Sequence, residues 1–173
     1  MPRPSLRIIA AQMISRYGIR IFATDPWNSL AHKFRGDNLE NYLENELSAE
    51  QRFAVSHNII KIISAHPPTP IRQKETVYRA PTPFEIRGGT IWFNKAYEMV
   101  CVHVPEKEDI NDTSTEVHVQ KVKSHKLVGI PTQREQPVIL EYQRKSGRYI
   151  QQNGIDPFTA LHAVQSNIDF EEF

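Results

Sequence analysis

Cysteine is almost missing from this chain: Cys101 is the single one in 173 residues. One thiol excludes an internal disulfide and suits a reducing compartment, so the expected setting is intracellular, cytoplasmic or nuclear. Long apolar runs are missing too. Runs such as residues 59–60 and 99–102 are far too short to cross a bilayer. Near the N-terminus Arg7 and Arg16 bracket an apolar stretch. A secretory signal wants a longer unbroken apolar run and a small-residue cleavage site.

Signatures of bound groups are also missing. No Cys-x-x-Cys or His-Glu-x-x-His occurs, and Gly88-Gly89 stands alone without the lysine and hydroxyl of a phosphate-binding loop. No metal and no cofactor are therefore expected, and no small-molecule substrate is evident. Cys101 and His103 alternate onto one face of a strand, and His118 can meet them from the next. Three such groups are how a zinc site can begin, but a fourth ligand at recognisable spacing is lacking. Cysteine is also commonly buried as a small apolar residue. As nucleophile and base the same residues lack an oxyanion hole. His103 and His118 are not followed at matching spacing by hydroxyl residues, and Glu141 with Lys145 has the wrong spacing for a metal-dependent nuclease. No catalytic residue is named, and the chain is expected to lean away from enzymatic function. Dispersed catalytic groups remain the one enzymatic route.

What is present describes a folded protein. Apolar residues make up 39 % and charged residues 24 %, a globular balance and not a disordered one. The net charge is only +1, but it is blockwise. Residues 1–35 carry six bases against one acid, and residues 37–50 carry five acids and no base. An acidic stretch at 105–116 precedes a basic one at 120–148. Such blocks either set opposite surfaces against one another or pair up after folding.

The first part reads helical. Ser5 can cap a helix whose Leu6, Ile9, Ala10, Met13 and Tyr17 follow i, i+3, i+4, i+7 spacing, stopped by Gly18. Residues 19–24 read as a strand ended by Asp25-Pro26. Asp37 with Glu40, and Ser48 with Gln51, are capping boxes that predict two further helices, the second running through Ile63. His66-Pro67-Pro68 must end it. Beyond the prolines the period changes to two, and strands are expected at 76–79, 90–94, 97–104, 116–130, 138–143 and 148–151, the last two joined by a turn at Arg144-Lys145-Ser146-Gly147. Asp156-Pro157 opens a short final helix over Phe158, Leu161 and Val164. Helices followed by strands predict an α+β fold: N-terminal helices packed on a mainly antiparallel sheet of about five strands, with a short C-terminal helix. The whole of 1–173 reads as one domain, with a helical part at 1–65, a proline-containing connection at 66–89, and a sheet part with C-terminal helix and tail at 90–173.

Three surfaces are candidates for binding. Lys121, Lys123 and Lys126 on one strand, with Arg144, Lys145 and Arg148 around the turn, can follow a phosphate backbone, and Tyr142 and Tyr149 can stack on bases. The alternative for these residues is a solvent-facing edge kept from aggregating by lysine. Pro-Thr-Pro occurs twice, at residues 68–70 and 81–83. Its fixed φ favours an extended chain that aromatic grooves bind. Both copies are loosely similar to the short proline motifs with which viral assembly proteins recruit sorting machinery, without matching either standard form. The first copy is needed to stop a helix, so partner binding is assigned to Pro81, Thr82, Pro83 and Phe84. Phe170 and Phe173, apolar anchors in an acidic tail, are the third candidate.

With no family resembled and no assembled catalytic chemistry, the expectation is a non-enzymatic binding or assembly protein working through protein surfaces and self-association. That profile fits a small viral or mobile-element structural or accessory protein. The alternative is an RNA- or DNA-binding protein that uses the basic hairpin.

Overall fold

The computed structural model describes residues 5–30, 38–67, 71–72, 77–106, 108–157 and 159. The chain divides into two compact units, Met1–Pro68 with Thr82–Ala96, and Thr69–Pro81 with Tyr97–Phe173. The fold is mixed α+β, as the change of period predicts.

In the first unit, helix α1 (Leu6–Tyr17) ends at Gly18, whose φ of 64° supplies the left-handed turn expected of it. Strand β1 (Ile21–Thr24) follows, then a 3-10 turn at Trp27–Ser29. One continuous helix, α2 (Leu39–His57), stands where two were expected. Asn38 caps it by accepting the Asn41 amide at 2.8 Å, while Asp37 lies outside the described residues. Nothing interrupts the helix at Ser48, whose hydroxyl is not required there because the turn before it is already hydrogen-bonded. The helix stops at Asn58 (φ 50°), and residues 60–63, expected to be helical, form strand β2 (Ile60–Ile63). The run Ile59-Ile60-Lys61-Ile62-Ile63 satisfies helical and strand spacing alike. Its β-branched side chains lose least in the extended state, and β1 supplies the ladder.

β2 pairs with β1 in parallel, Ile21 against Ile60 through Thr24 against Ile63. The pairing runs on past both ends: Ser64 N donates to Thr24 O at 2.9 Å, and Trp27 N to Ser64 O at 2.8 Å. Leu43 and Leu47 of α2, Ala10 of α1 and the two tryptophans form the core, with Trp27 and Trp92 edge to face at 5.5 Å.

Strands β3 (Ile71–Arg72) and β4 (Tyr78–Arg79) make a small antiparallel pair. The strand expected at 90–94 is instead helix α3 (Gly89–Lys95), entered through Gly88 (φ 78°) after a 3-10 turn at Pro83–Glu85. Ile91, Trp92 and Phe93 have strand-like propensity, but burial of Trp92 beside Trp27, with its indole N–H donated to Arg87 O at 3.2 Å, rewards a helical turn. Tertiary contact outweighs propensity here.

The second unit is built on a four-stranded antiparallel sheet of β5 (Glu98–His103), β6 (Ser114–Val122), β7 (Val138–Gln143) and β8 (Arg148–Gln151), in that order. β6 is shorter than expected, because Ser124 leads into a single helical turn, α4 (His125–Val128). β5 lies along most of β6, with Glu98 opposite Val122 and His103 opposite Glu116. β7 covers only its first part, Ser114 opposite Glu141 to Val117 opposite Val138. The turn between β7 and β8 forms as expected, with Gly147 at φ 68° and its amide on Gln143 O at 2.8 Å. The C-terminal helix expected over Phe158, Leu161 and Val164 lies outside the described residues.

Candidate functional site at the carboxyl end of the parallel strands

Both parallel strands end on the same side, and polar residues follow each of them. Asp25 and Asn28 come directly after β1, and Ser64 and His66 directly after β2. The backbone bonds between Thr24, Ser64 and Trp27 hold these two exits together, and His66 N donates to Asn28 Oδ1 at 3.1 Å. Asp25 and His66 are exposed. In open α/β sheets ligands bind beyond the carboxyl ends of the strands, so this edge is where such a group would sit.

Behind the edge lies an ionic cluster that supports it. Lys61 of β2 is 7 % exposed as a side chain; its ammonium donates to Thr24 Oγ1 at 2.5 Å and lies 3.7 Å from the centre of the Phe22 ring. Glu50 of α2 places Oε2 3.4 Å from Lys61 Nζ, a charge contact without hydrogen-bond alignment. Its other oxygen accepts from Arg7 at 3.3 Å, and the same guanidinium reaches Glu46 at 3.2 Å. Burial pushes the Lys61 ammonium below the ordinary lysine range, and Glu50 opposes that shift. Thr24, whose hydroxyl is so held, directly precedes Asp25. The lysine thus anchors the last residue of β1.

Two signals for this cluster are visible in the chain. Lys61 is one charge inside a run of four isoleucines, and Glu50 lies on the Leu43, Leu47 stripe of α2 at i, i+4, i+7. A buried charge on an apolar stripe needs a partner.

The residues singled out from sequence are distributed differently from expectation. Lys121 and Lys123 lie at the far end of β6, Lys121 opposite Met99 and the Lys123 ammonium 4.5 Å from the Tyr97 ring centre. Burial first, then Lys123, lowers the Lys121 pKa. Lys126 is on α4 and not on a strand. Arg144, Lys145 and Arg148 surround the β7–β8 turn, beyond the opposite end of β6. Arg144 donates to Ile110 O and Arg148 to Asp156 Oδ2 at 2.8 Å. Seven extended residues, roughly 23 Å, separate Ser114 from Lys121. The basic residues therefore occupy two ends of the sheet and not one ribbon, because β7 pairs only with the start of β6. Tyr142 and Tyr149 face each other across the hairpin with ring centres 5.1 Å apart.

Pro81 to Phe84 is built into the fold. Thr82 and Glu85 form a capping box, Pro83 is buried, and Pro81 O accepts from Gln120 Nε2 at 2.6 Å. Phe84 is exposed, with its ring 5.0 Å from that of Phe93. Phe170 and Phe173 lie outside the described residues. Cys101 is opposite His118, whose Nε2 is 2.9 Å from Glu116, while His103 Nε2 meets Tyr78 O at 2.8 Å. Burial, then Glu116, raises the Cys101 thiol pKa, which disfavours a thiolate nucleophile or ligand. Among the described residues no group of three His, Cys, Asp or Glu is placed to hold a metal ion by itself. Nor is any helix among them long and apolar enough to cross a membrane.

No protein-family model and no curated protein matches the chain in sequence. Among solved structures it is similar to an ATPase domain, with a TM-score of 0.61 and 16 % sequence identity. The likeness covers 84 % of this chain and 50 % of that one, so the chain spans half the length of the domain it resembles. This likeness overturns the expectation of a non-enzymatic assembly protein: the fold taken by these residues is one found in an ATPase domain.

Proposed function

We propose that this chain is part of an ATP-hydrolysing domain and that Asp25 is its magnesium-binding carboxylate. The observation that carries the reading is the position of Asp25, exposed at the carboxyl end of a parallel strand, in a fold shared with an ATPase domain. Phosphate-loop NTPases divide the task. A glycine-rich loop and its lysine cradle the phosphates, and an aspartate elsewhere holds the metal ion. These 173 residues contain no G-x-x-x-x-G-K-S/T stretch, so the phosphate cradle is supplied by other residues.

A lone exposed carboxylate fits magnesium. That ion keeps most of its waters and takes one or two protein carboxylates together with the substrate phosphates. When bound, it neutralises the charge of the nucleotide phosphates. The chain's own contribution is to hold Asp25 outward at a fixed point, through Thr24 and Lys61 behind it and the Trp27–Ser64 backbone bond beside it. Ser64, His66 and Asn28 lie at the same edge as polar contacts for the nucleotide or its attacking water.

The test is paramagnetic broadening in the NMR spectrum, with Mn²⁺·ATP replacing the magnesium complex. Amides of residues 25–29 and 64–66 should broaden, and Asp25→Asn should remove the effect. Broadening that ignores the Asn substitution, or none at this edge, would overturn the reading.

A further inference from the structure

Lys61 is an odd residue for its position. It stands inside the run Ile59-Ile60-Lys61-Ile62-Ile63, with Phe22 as its register partner on β1. A buried ion pair is commonly no more stabilising than apolar residues of the same volume, so stability alone does not call for a lysine there. The contacts of the ammonium show what it serves. Its hydrogen bond goes to Thr24 Oγ1 at 2.5 Å. Glu50 Oε2, 3.4 Å away, is a buried oxygen without a hydrogen-bond partner among the described residues. A lysine serving Glu50 would aim one of its three donors at that carboxylate. Glu50 is thus the counter-charge, and Thr24 is the group that is held.

Thr24 is the last residue of β1, is 7 % exposed, and directly precedes Asp25. Its carbonyl accepts from Ser64 N at 2.9 Å, and Trp27 N donates to Ser64 O at 2.8 Å. Only Asp25 and Pro26 lie between these ties, so the setting of Thr24 fixes where Asp25 stands. We infer that Lys61 is a positioning residue for the metal ion at Asp25, and that Glu50, acting through Lys61, gives α2 a share in controlling that site. The inference rests on the reading of Asp25 as the magnesium-binding carboxylate. Arg7 extends the chain of contacts to α1, since its guanidinium meets Glu50 Oε1 at 3.3 Å and Glu46 Oε2 at 3.2 Å. Metal binding at the edge and the contact of α1 with α2 are then linked, and equilibrium linkage acts equally in both directions.

Titration with Mn²⁺·ATP, followed by broadening of the amides of residues 64–66, gives an affinity for each variant. Loss of a group that orients a metal ligand from outside commonly weakens binding tenfold or more, so Lys61→Met should weaken it about tenfold. Thr24→Val should do the same, whereas Thr24→Ser keeps the hydroxyl and should bind as the wild type does. Glu50→Gln should weaken binding on its own and change nothing further once Lys61→Met is present. Asn38→Ala, which removes the α2 cap without touching these contacts, should leave the affinity unchanged. If Glu50→Gln or Thr24→Val does not fold, Lys61→Met set against Asn38→Ala and Thr24→Ser decides. Unchanged affinity in Lys61→Met, equal losses in Lys61→Met and Asn38→Ala, or a weakened Thr24→Ser would overturn the proposal. So would a Glu50→Gln effect that persists without Lys61, which would mark a direct field of Glu50 at the metal. Broadening that depends on Asp25 but is indifferent to Lys61 overturns this inference alone. Broadening that is independent of Asp25 overturns the metal reading as well.

Discussion

Lys61 shows how much one side chain is asked to do. A lysine ammonium at this depth loses hydration, and its Thr24, Phe22 and Glu50 contacts recover only part of that loss. Removing either partner of the ion pair is therefore unequal. Glu50→Ala leaves the buried Lys61 without its anion, while Arg7 keeps Glu46, and should destabilise by about 3 kcal/mol or more. Lys61→Met keeps the stem and leaves Glu50 paired with Arg7, so its cost should be under about 1.5 kcal/mol. Urea unfolding of the two variants checks the order. The pH dependence has a definite sign. The folded chain releases the Lys61 proton at lower pH than the unfolded one, so between those values the unfolded state binds more protons and stability rises with pH. Tyr42, raised by burial and Glu46, acts in the opposite sense at alkaline pH. The quantity to measure is thus wild type minus Lys61→Met: the difference in unfolding free energy should grow as pH rises toward the ordinary lysine range. A flat difference would mean that Lys61 is ordinarily hydrated.

Elements were legible where local chemistry and tertiary contact agree. α1 follows from its apolar spacing and Gly18, and the β7–β8 hairpin from alternation on either side of a glycine-containing turn. They were misread where the two disagree. Residues 59–63 fit a helix and a strand equally, and only the presence of β1 decides between them. Residues 90–94 look like a strand until Trp92 meets Trp27. The α3 entry can be tested directly. A Cβ on Gly89 would come within 2.5 Å of the Phe84 backbone, which cannot swing away as a side chain can. Gly89→Ala should cost about 1–3 kcal/mol. Asn38→Ala, which removes only the α2 cap, should cost about 1 kcal/mol. Thermal unfolding should rank Gly89→Ala as the more damaging. The reverse order would show that the Phe84 turn yields easily.

Taken as a whole, the chain is similar in fold to part of an ATPase domain and carries an exposed aspartate at the end of a parallel strand. Without a lysine-bearing phosphate loop, the 173 residues by themselves should release phosphate from ATP at no more than the background rate of magnesium and buffer. A coupled phosphate assay on the purified chain checks this, and turnover above background that is abolished by Asp25→Asn would mean that the cradle lies within these residues after all. Asp25 itself was visible from the start as the residue of a strand-ending turn. Its candidacy was not, because nothing local distinguishes a turn aspartate from one at the mouth of a parallel sheet. The basic residues failed in the complementary way. Lys121 and Arg144 are close in charge pattern, yet register puts them at opposite ends of β6.

The amino-acid sequence alone determined what depends on neighbours along the chain: the α+β class, the glycine-stopped helix α1, the β7–β8 turn, and the want of a phosphate loop. These rest on backbone propensity and side-chain period, which act over a few residues. Tertiary structure decided what depends on pairing between distant segments. It made 60–63 a strand by placing β1 beside it, buried Lys61 against Glu50, and set Asp25 at a shared strand exit. Those outcomes depend on partners that no local window contains: Thr24 lies 37 residues from Lys61, and Arg7 43 from Glu50.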